Sequence, residues 1–569
     1  MAGAGAGAAA SQPSRRTADF HPSVWRDFFI THVPQPDEVI TAWNERIEVL
    51  KSNVRSTLLA PGTALSERLS RIDTIERLGI GYHFEGEIEG VFGEIYDQYY
   101  RRNDDLNTVA LRFRLLRQHN YAVSSDVFKQ FKKDGGRGEF KKEIIASDIK
   151  GMLNLYEAAY LRTEEDAILD EAIEFTKLHL MNAAELESPM AELVAHSLEM
   201  PLRKGVKRVE HLFFIPMYEK FHGHDVALLE LAKLSFNVVQ DLYQKELKVL
   251  TEWWVGLDLP RKLPYARDKL VEIFFWAMAS AWEPKFALAR YFYTKVISIG
   301  SMYDDTYDAY GYVEELELFT TATEKSNRWD PNVKDLNNCM KTLFDAIIGV
   351  YEEIDTVTSR DGMPYCLEFG KQALKFVTRM YMEEARWFYQ DHVPSLEEYR
   401  QVSSLSTIYQ WIAYATMCGL GRQSAPKEAF DWLFSLPKML VVSSDHCRLR
   451  DDMVSHEFEQ KRGHAASSIQ CYMKEHGVGK EEAMTAVRGI AEDDWKIMNG
   501  EILRLLNPPT GRDDVAAAAA VVPNHDVLQI LVGLANVMET LYKEFDGYTN
   551  SDTSTKDMLM ALFVTPFPV

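Results

Sequence analysis

Five carboxylates and one hydroxyl, at two places far apart in the chain, carry the chemistry this sequence can do. The first place is Tyr303-Asp304-Asp305-Thr306-Tyr307-Asp308. Asp304 and Asp308 stand four apart, so on a helix they share a face. The apolar residues upstream, Leu288, Phe292, Val296, Ile299 and Tyr303, recur three and four apart and predict that helix, with Gly311 as its stop signal. Carboxylates in the last turns of a helix meet the negative end of its dipole, which costs a few tenths to about 1 kcal/mol each unless a cation offsets it. Magnesium fits, because it takes hard oxygen ligands, keeps several waters, and is usually held by one or two carboxylates plus substrate phosphates. Alone, the same run would equally describe a solvated acidic helix end.

The second place lies about 145 residues on, at Asp451-Asp452-Met453-Val454-Ser455-His456-Glu457-Phe458-Glu459. Asp451, Ser455 and Glu459 fall at i, i+4 and i+8 and make one stripe about 12 Å long on a helix. Three oxygen ligands along one face suit a second hard-cation position. Facing each other across a cavity, the two acidic helices would hold a magnesium cluster that grips a diphosphate and stabilises it as a leaving group. Arg267, Lys269 and Arg448 are the candidate cations for the departing anion. Other chemistries lack their residues. His456-Glu457 is followed by Gln460 where a zinc helix needs its second His, no Gly-x-Ser-x-Gly elbow occurs, and no Asp-x-Asp-Asp acid is present.

Strand signals are sparse, so the elements that position these groups are read as all-α. A chain of 569 residues is too long for one ordinary core, and two large helical domains satisfy the length. Punctuation at Phe221-His222-Gly223-His224-Asp225 puts the boundary near 225, giving an N-terminal domain over 15–225 and a catalytic one over 226–569, after a leader at 1–14 read as a disordered tail. The uncharged stretch Val402–Gly421 is too rich in hydroxyls for a membrane span and predicts a buried helix facing a cavity. No internal period marks a solenoid. The net charge of −22 opposes nucleic-acid and anionic-lipid partners. Five scattered cysteines without CxxC spacing indicate a reducing compartment.

With these residues in place, the chain resembles the class I terpene synthases of plants, of the cytosolic sesquiterpene synthase type. The likeness covers nearly the whole length. It rests on Arg15-Arg16 and Trp25, on Ile72-Asp73-x-x-x-Arg77-Leu78-Gly79-x-x-Tyr82-His83-Phe84, on Leu263-Pro264-Tyr265-Ala266-Arg267-Asp268, on Asp304–Asp308, on Arg448, on the Asp451 stripe with Lys461-Arg462-Gly463, and on Asp546-Gly547-Tyr548-Thr549. The resemblance implies an N-terminal relic α-barrel without its own activity, a C-terminal α-bundle, and three Mg2+ ions, with Mn2+ as a substitute. It implies Asp304, Asp305 and Asp308 as ligands of one metal pair, and Asp451, Ser455 and Glu459 as ligands of the third ion. Arg267 and Arg448, with Asp304 and Asp308, are implied to hold the diphosphate. Trp276, Tyr548 and Asp546 are the implied catalytic residues, and Tyr303, Ser406, Thr407 and Ile408 the cavity wall.

The resemblance implies a cytoplasmic, monomeric enzyme that ionises farnesyl diphosphate to a C15 hydrocarbon or alcohol. Two departures stand out. The family's Arg-x-Arg here reads Arg267-Asp268-Lys269, which loses a bidentate fork, and Leu541 replaces a tyrosine five residues before Asp546. The Ala516–Ala520 run reads as an insertion. A monoterpene synthase acting on geranyl diphosphate, a chain-elongating prenyltransferase and a non-catalytic helical scaffold are the competing readings.

Overall fold

The computed structural model describes residues 15, 18, 20–58, 62–97, 99, 104–136, 138–141, 148–181, 186–325, 336–462, 465–508 and 523–569. The leader 1–14, Arg16, Gly463 and the Ala516–Ala520 run lie outside them. Among the described residues the protein is all-α, as the helical spacing predicted. The only extended pairing among the described residues is an isolated bridge between Lys132 and Phe140.

In the N-terminal half, α1 (Leu65–Arg77) and α2 (Leu106–Gln118) pack together, and α3 (Lys207–Glu219) returns the chain toward the second half. Asp105 caps α2 by accepting from Thr108 N at 2.9 Å. Asp225 caps the long α4 (Val226–Leu257) by accepting from Ala227 N and Leu228 N at 2.9 and 3.2 Å. Each such cap contributes about 1 kcal/mol by satisfying amides the helix leaves open. The predicted boundary at 225 falls on this cap. The helix Asp37–Leu58 lies along α4, and one hydrophobic core runs through both halves, with Ile72, Phe113, Leu231, Phe274 and Val537 all at or near zero exposure.

The second half supplies α5 (Leu270–Ser280), α6 (Ala287–Ala309), α7 (Cys366–Tyr389), α8 (Tyr409–Leu420), α9 (Lys438–Arg462), α10 (Lys480–Leu506) and α11 (His525–Leu541). Two glycines set their spacing. A Cβ on Gly533 of α11 would meet Ala279 O of α5 at 2.6 Å, so those backbones touch only because it is glycine. A Cβ on Gly300 of α6 would stand 3.2 Å from the Trp411 ring of α8.

Before α8 the chain breaks. Leu405–Thr407 form a single 3-10 turn, and Ile408 sits at φ +61°, a region that strains a β-branched residue. Ser406 and Thr407 donate back to Ser403 O (2.9 Å) and Ser404 O (2.7 Å), replacing helix bonds the break removes. The stretch Val402–Gly421 is thus a broken, largely buried helix beside a cavity. No helix among the described residues is long and apolar enough to cross a membrane.

Candidate active site

α6 delivers its acidic end to a cavity at the centre of the second half. Asp304 and Asp308 line it, as do Tyr293, Ile297 and Ser301 of the same helix. Asp304 Oδ2 accepts from Arg267 Nη2 at 2.7 Å. Burial, and then the neighbouring Asp308, push the Asp304 carboxyl up to about 7, with Arg267 opposing. Burial works against the charge on Arg267, yet Asp305 and Asp304 outweigh it and hold its pKa well above the ordinary value.

Asp305, expected among the metal ligands, is placed differently. It is 1% exposed and does not line the cavity. Its Oδ2 accepts from the backbone N–H of Arg267 at 2.7 Å, and its Oδ1 lies 2.9 Å from Nη2 of that guanidinium. This geometry positions a cation. Arg267 is thereby clamped at backbone and side chain, and its guanidinium lies over the rings of Phe20 and Tyr548.

The facing wall is α9. Asp451, Ser455 and Glu459 all line the cavity, as the i, i+4, i+8 spacing predicted. Burial and then Glu459 raise Asp451 well above the usual carboxylate range. Arg448, one turn earlier, donates to Ser403 O (3.0 Å), Ser406 Oγ (3.2 Å) and Asp451 Oδ2 (3.2 Å), tying the helix break to the acidic stripe. Asp452 faces away, where it accepts from Tyr399 Oη (2.9 Å) and Ser468 N (2.8 Å).

Aromatic and small polar groups complete the enclosure. Trp276 packs edge-on against Tyr548 and Tyr542 at 6.4 and 6.3 Å. Ser301 and Tyr548 share a hydroxyl hydrogen bond of 2.8 Å, and Asp546 accepts from the N–H groups of Tyr548 and Thr549 at 3.0 and 2.9 Å, so Asp546 fixes the turn that presents Tyr548. Ser406, Thr407 and Ile408 line the cavity from the helix break.

Tyr303 does not belong to the wall on which it was expected. It is fully buried against Phe319 (5.1 Å) and Trp411 (6.2 Å), on the opposite side of α6. Lys269 is likewise outside the cavity lining; 2% exposed, it donates to Ser551 Oγ at 3.0 Å. Leu541 is core, but its neighbour Tyr542 lines the cavity and supplies a ring there. Sequence reasoning also missed Tyr293, whose buried hydroxyl has no partner, and Phe20 from the N-terminal segment. Arg15 makes a two-bond ion pair with Glu315 at 2.7 and 2.6 Å.

Residues 24–198 match the family described as terpene synthase, N-terminal domain, and residues 256–497 match the terpene synthase family, metal binding domain. The chain belongs to the terpene synthase family. Among curated relatives, (-)-germacrene D synthase of Vitis vinifera is 41% identical over 98% of this chain and 96% of its own, and sesquiterpene synthase 2 of Toona sinensis is 40% identical over 98% and 97%. Among solved structures, isoprene synthase from grey poplar leaves (Populus x canescens), in complex with three Mg2+ ions and dimethylallyl-S-thiolodiphosphate, superposes with a TM-score of 0.84 at 30% identity, covering 94% of this chain and 98% of that one.

The donor set of this terpene synthase fits a hard divalent metal. Ser455 Oγ is buried with no hydrogen-bond partner, between two carboxylates on the same helix face. Burial first, and then a neighbouring carboxylate, raise Asp304 and Asp451 further than the two arginines lower them, and a bound cation would relieve both. Among the described residues no three Asp, Glu, His or Cys side chains converge closely enough to enclose an ion by themselves. An ion held there would draw its remaining ligands from waters and phosphate oxygens, which is how magnesium is usually held.

Proposed function

We infer that this terpene synthase is a sesquiterpene synthase that ionises farnesyl diphosphate. The observation that carries the reading is the meeting of two acidic helix faces and two arginines at one end of a cavity whose other walls are aromatic and aliphatic. The likeness to relatives named for sesquiterpene synthesis supports it. Asp304 and Asp308 on α6, with Asp451, Ser455 and Glu459 on α9, would hold a cluster of three Mg2+ ions, and Mn2+ would substitute. Bound there, the ions supply positive charge to the diphosphate as its bond to carbon breaks.

The chain's own groups do the rest. Arg267 and Arg448 bind the diphosphate oxygens, exchanging part of their present pairing with Asp304 and Asp451 for the ligand. The C1–O bond of the substrate breaks, and its electron pair leaves with the diphosphate. The allylic cation left behind faces Trp276, Tyr542 and Tyr548, whose π faces stabilise positive charge without adding to it. Asp305 acts through Arg267, and Asp546 through Tyr548. A cytosolic, monomeric enzyme completes the reading, supported by five cysteines that all remain free thiols.

The experiment is incubation of the purified protein with farnesyl diphosphate, with and without magnesium, followed by gas chromatography with mass detection of a hexane extract. A magnesium-dependent C15 hydrocarbon or alcohol is expected. Turnover of geranyl diphosphate alone would shift the reading to a monoterpene synthase, and no turnover of either would sink it.

A further inference from the structure

Two walls of the active-site cavity, α9 and α11, pack against each other. Cys447 and Asp451 of α9 line the cavity, as do Met538 of α11 and Tyr542 just beyond its end. Glu539 stands between Met538 and Tyr542 in the chain but does not line the cavity. It is 7% exposed, on the far side of α11.

A carboxylate so placed is costly unless it is paired and hydrogen-bonded. Glu539 is held from three elements at once. Its Oε1 accepts from Trp495 Nε1 of α10 at 2.8 Å, and lies 3.2 Å from Lys204 Nζ and 3.4 Å from His446 Nε2. Its Oε2 lies 3.3 Å from Arg450 Nη2. Burial works against its charge, yet Lys204, His446 and Arg450 outweigh that and hold the carboxyl well below the ordinary range.

The two partners on α9 are the residues immediately before the cavity-lining Cys447 and Asp451. Arg450 Nη2 also donates to Tyr542 O at 3.3 Å, so one guanidinium ties the start of the acidic stripe to a ring of the facing wall. His446 Nδ1 bonds Ala491 O of α10 at 3.1 Å. A shift of either partner therefore moves a cavity residue with it.

Lys204 comes from the other half of the chain. Its turn, 201–206, is docked by Asn536 of α11, which donates to Arg203 O at 2.8 Å, and by Arg203 Nε, which donates to Asn499 Oδ1 at 2.9 Å. Lys204 and Arg203 both lie over the Trp495 ring, at 5.8 and 5.6 Å. Phe20 is the one residue of the N-terminal half that lines the cavity among the described residues. Lys204 reaches the same walls from behind.

We propose that Glu539 is a positioning residue for the reaction, and that Lys204 acts through it to make the active site depend on the N-terminal half. Glu539 sets the register of α9 against α11, and with it the place of Asp451, Ser455 and Glu459 relative to Met538 and Tyr542. The inference rests on the proposed ionisation of a prenyl diphosphate at that cavity. Misplacing reacting groups by about 1 Å costs on the order of 100-fold in rate, so a small slip between these helices is enough to be read.

The test compares Glu539→Gln, Lys204→Met and the double variant in the full chain. Rates and product ratios are measured with farnesyl diphosphate and magnesium, and amide hydrogen exchange is followed by mass spectrometry without substrate. Each single variant should lower kcat about tenfold or more, change KM less, and alter the product ratios, with helical circular dichroism kept. The double variant should be within about twofold of Glu539→Gln, because Lys204 acts through that carboxylate. Lys204→Arg should recover most of the loss. Glu492→Gln, which removes the other carboxylate paired with Lys204, should leave the product ratios unchanged. Lys204→Met should also speed exchange in residues 446–452 of α9, to which no bond joins Lys204 among the described residues. If Glu539→Gln does not fold, Lys204→Met and its rescue by Lys204→Arg carry the test. Parent-like kcat and product ratios in both single variants, losses that multiply in the double variant, or unchanged α9 exchange in Lys204→Met would overturn the proposal. A parent inert toward farnesyl diphosphate would remove the proposed function, and the exchange comparison would still decide whether Lys204 reaches α9.

Discussion

Asp305→Asn separates a metal ligand from a residue that positions a cation. In the structure Asp305 makes a charge-assisted bond to the Arg267 amide (2.7 Å) and an ion pair with its guanidinium (2.9 Å), both buried. Asparagine keeps an acceptor for the amide and loses the charge. Hydrogen bonds to charged groups are worth about 1.5–3 kcal/mol against about 0.5–1.5 for neutral ones, so the loss is about 1–2 kcal/mol. If Arg267 is needed chiefly as the bond breaks, kcat/KM falls about 5- to 30-fold. Asp305→Ala, which leaves a buried arginine half unpaired, should cost about 3–5 kcal/mol. The assay is the initial rate with farnesyl diphosphate across a magnesium series. Asp305→Asn should lower the plateau with little shift of the half-saturating magnesium, whereas Asp308→Asn, on the cavity wall, should shift that midpoint about tenfold or more. A magnesium midpoint moved as far by Asp305→Asn as by Asp308→Asn would refute the positioning role.

Magnesium affinity should fall as pH drops below about 7, because the Asp304 carboxyl, pushed up to about 7, must release a proton before a metal binds. The slope should approach about tenfold per pH unit for one proton, and a flat magnesium midpoint between pH 6 and 8 would contradict it. Asp494→Asn should stabilise the fold at pH 8 by on the order of 1 kcal/mol, read from urea midpoints. Asp494 is buried, one oxygen has no partner, and burial followed by Asp445 raises its carboxyl well above the usual range. A group raised in the folded state lends its full stability below the unfolded pKa and loses it as pH rises through the folded one, so the neutral amide helps only at the higher pH. Lys269→Met should lower kcat/KM about tenfold by releasing Ser551 and the turn that carries Asp546 and Tyr548. Adding Ser551→Ala should then cost little more, and additive losses would show that the two act separately.

What the sequence disclosed about α6, and what it hid, follow from one rotation of 100° per residue. Phe292, Val296, Ile299 and Tyr303 form the apolar stripe that announces the helix, and all four are fully buried. A second stripe, Tyr293, Ile297, Ser301, Asp304 and Asp308, faces the cavity. Tyr303 lies nearly opposite Ser301 on the wheel, so an aromatic adjacent in sequence to the acidic run was bound to point into core. Asp305 falls just beyond the cavity edge, where Arg267 waits. The second stripe was there to be read, but its aromatic, aliphatic, hydroxyl and acidic members look like no single class until a cavity defines them. On α9 the same arithmetic worked unaided, since Asp451, Ser455 and Glu459 repeat at four and every one is a hard oxygen donor.

Pairing resists this kind of reading. Arg267 with Asp305, and Arg15 with Glu315, join positions whose proximity only the packed fold creates. Lys204 makes the same point: in sequence it is one cation among Arg203, Lys207 and Arg208, and only the packed fold brings it to Glu492 and Glu539.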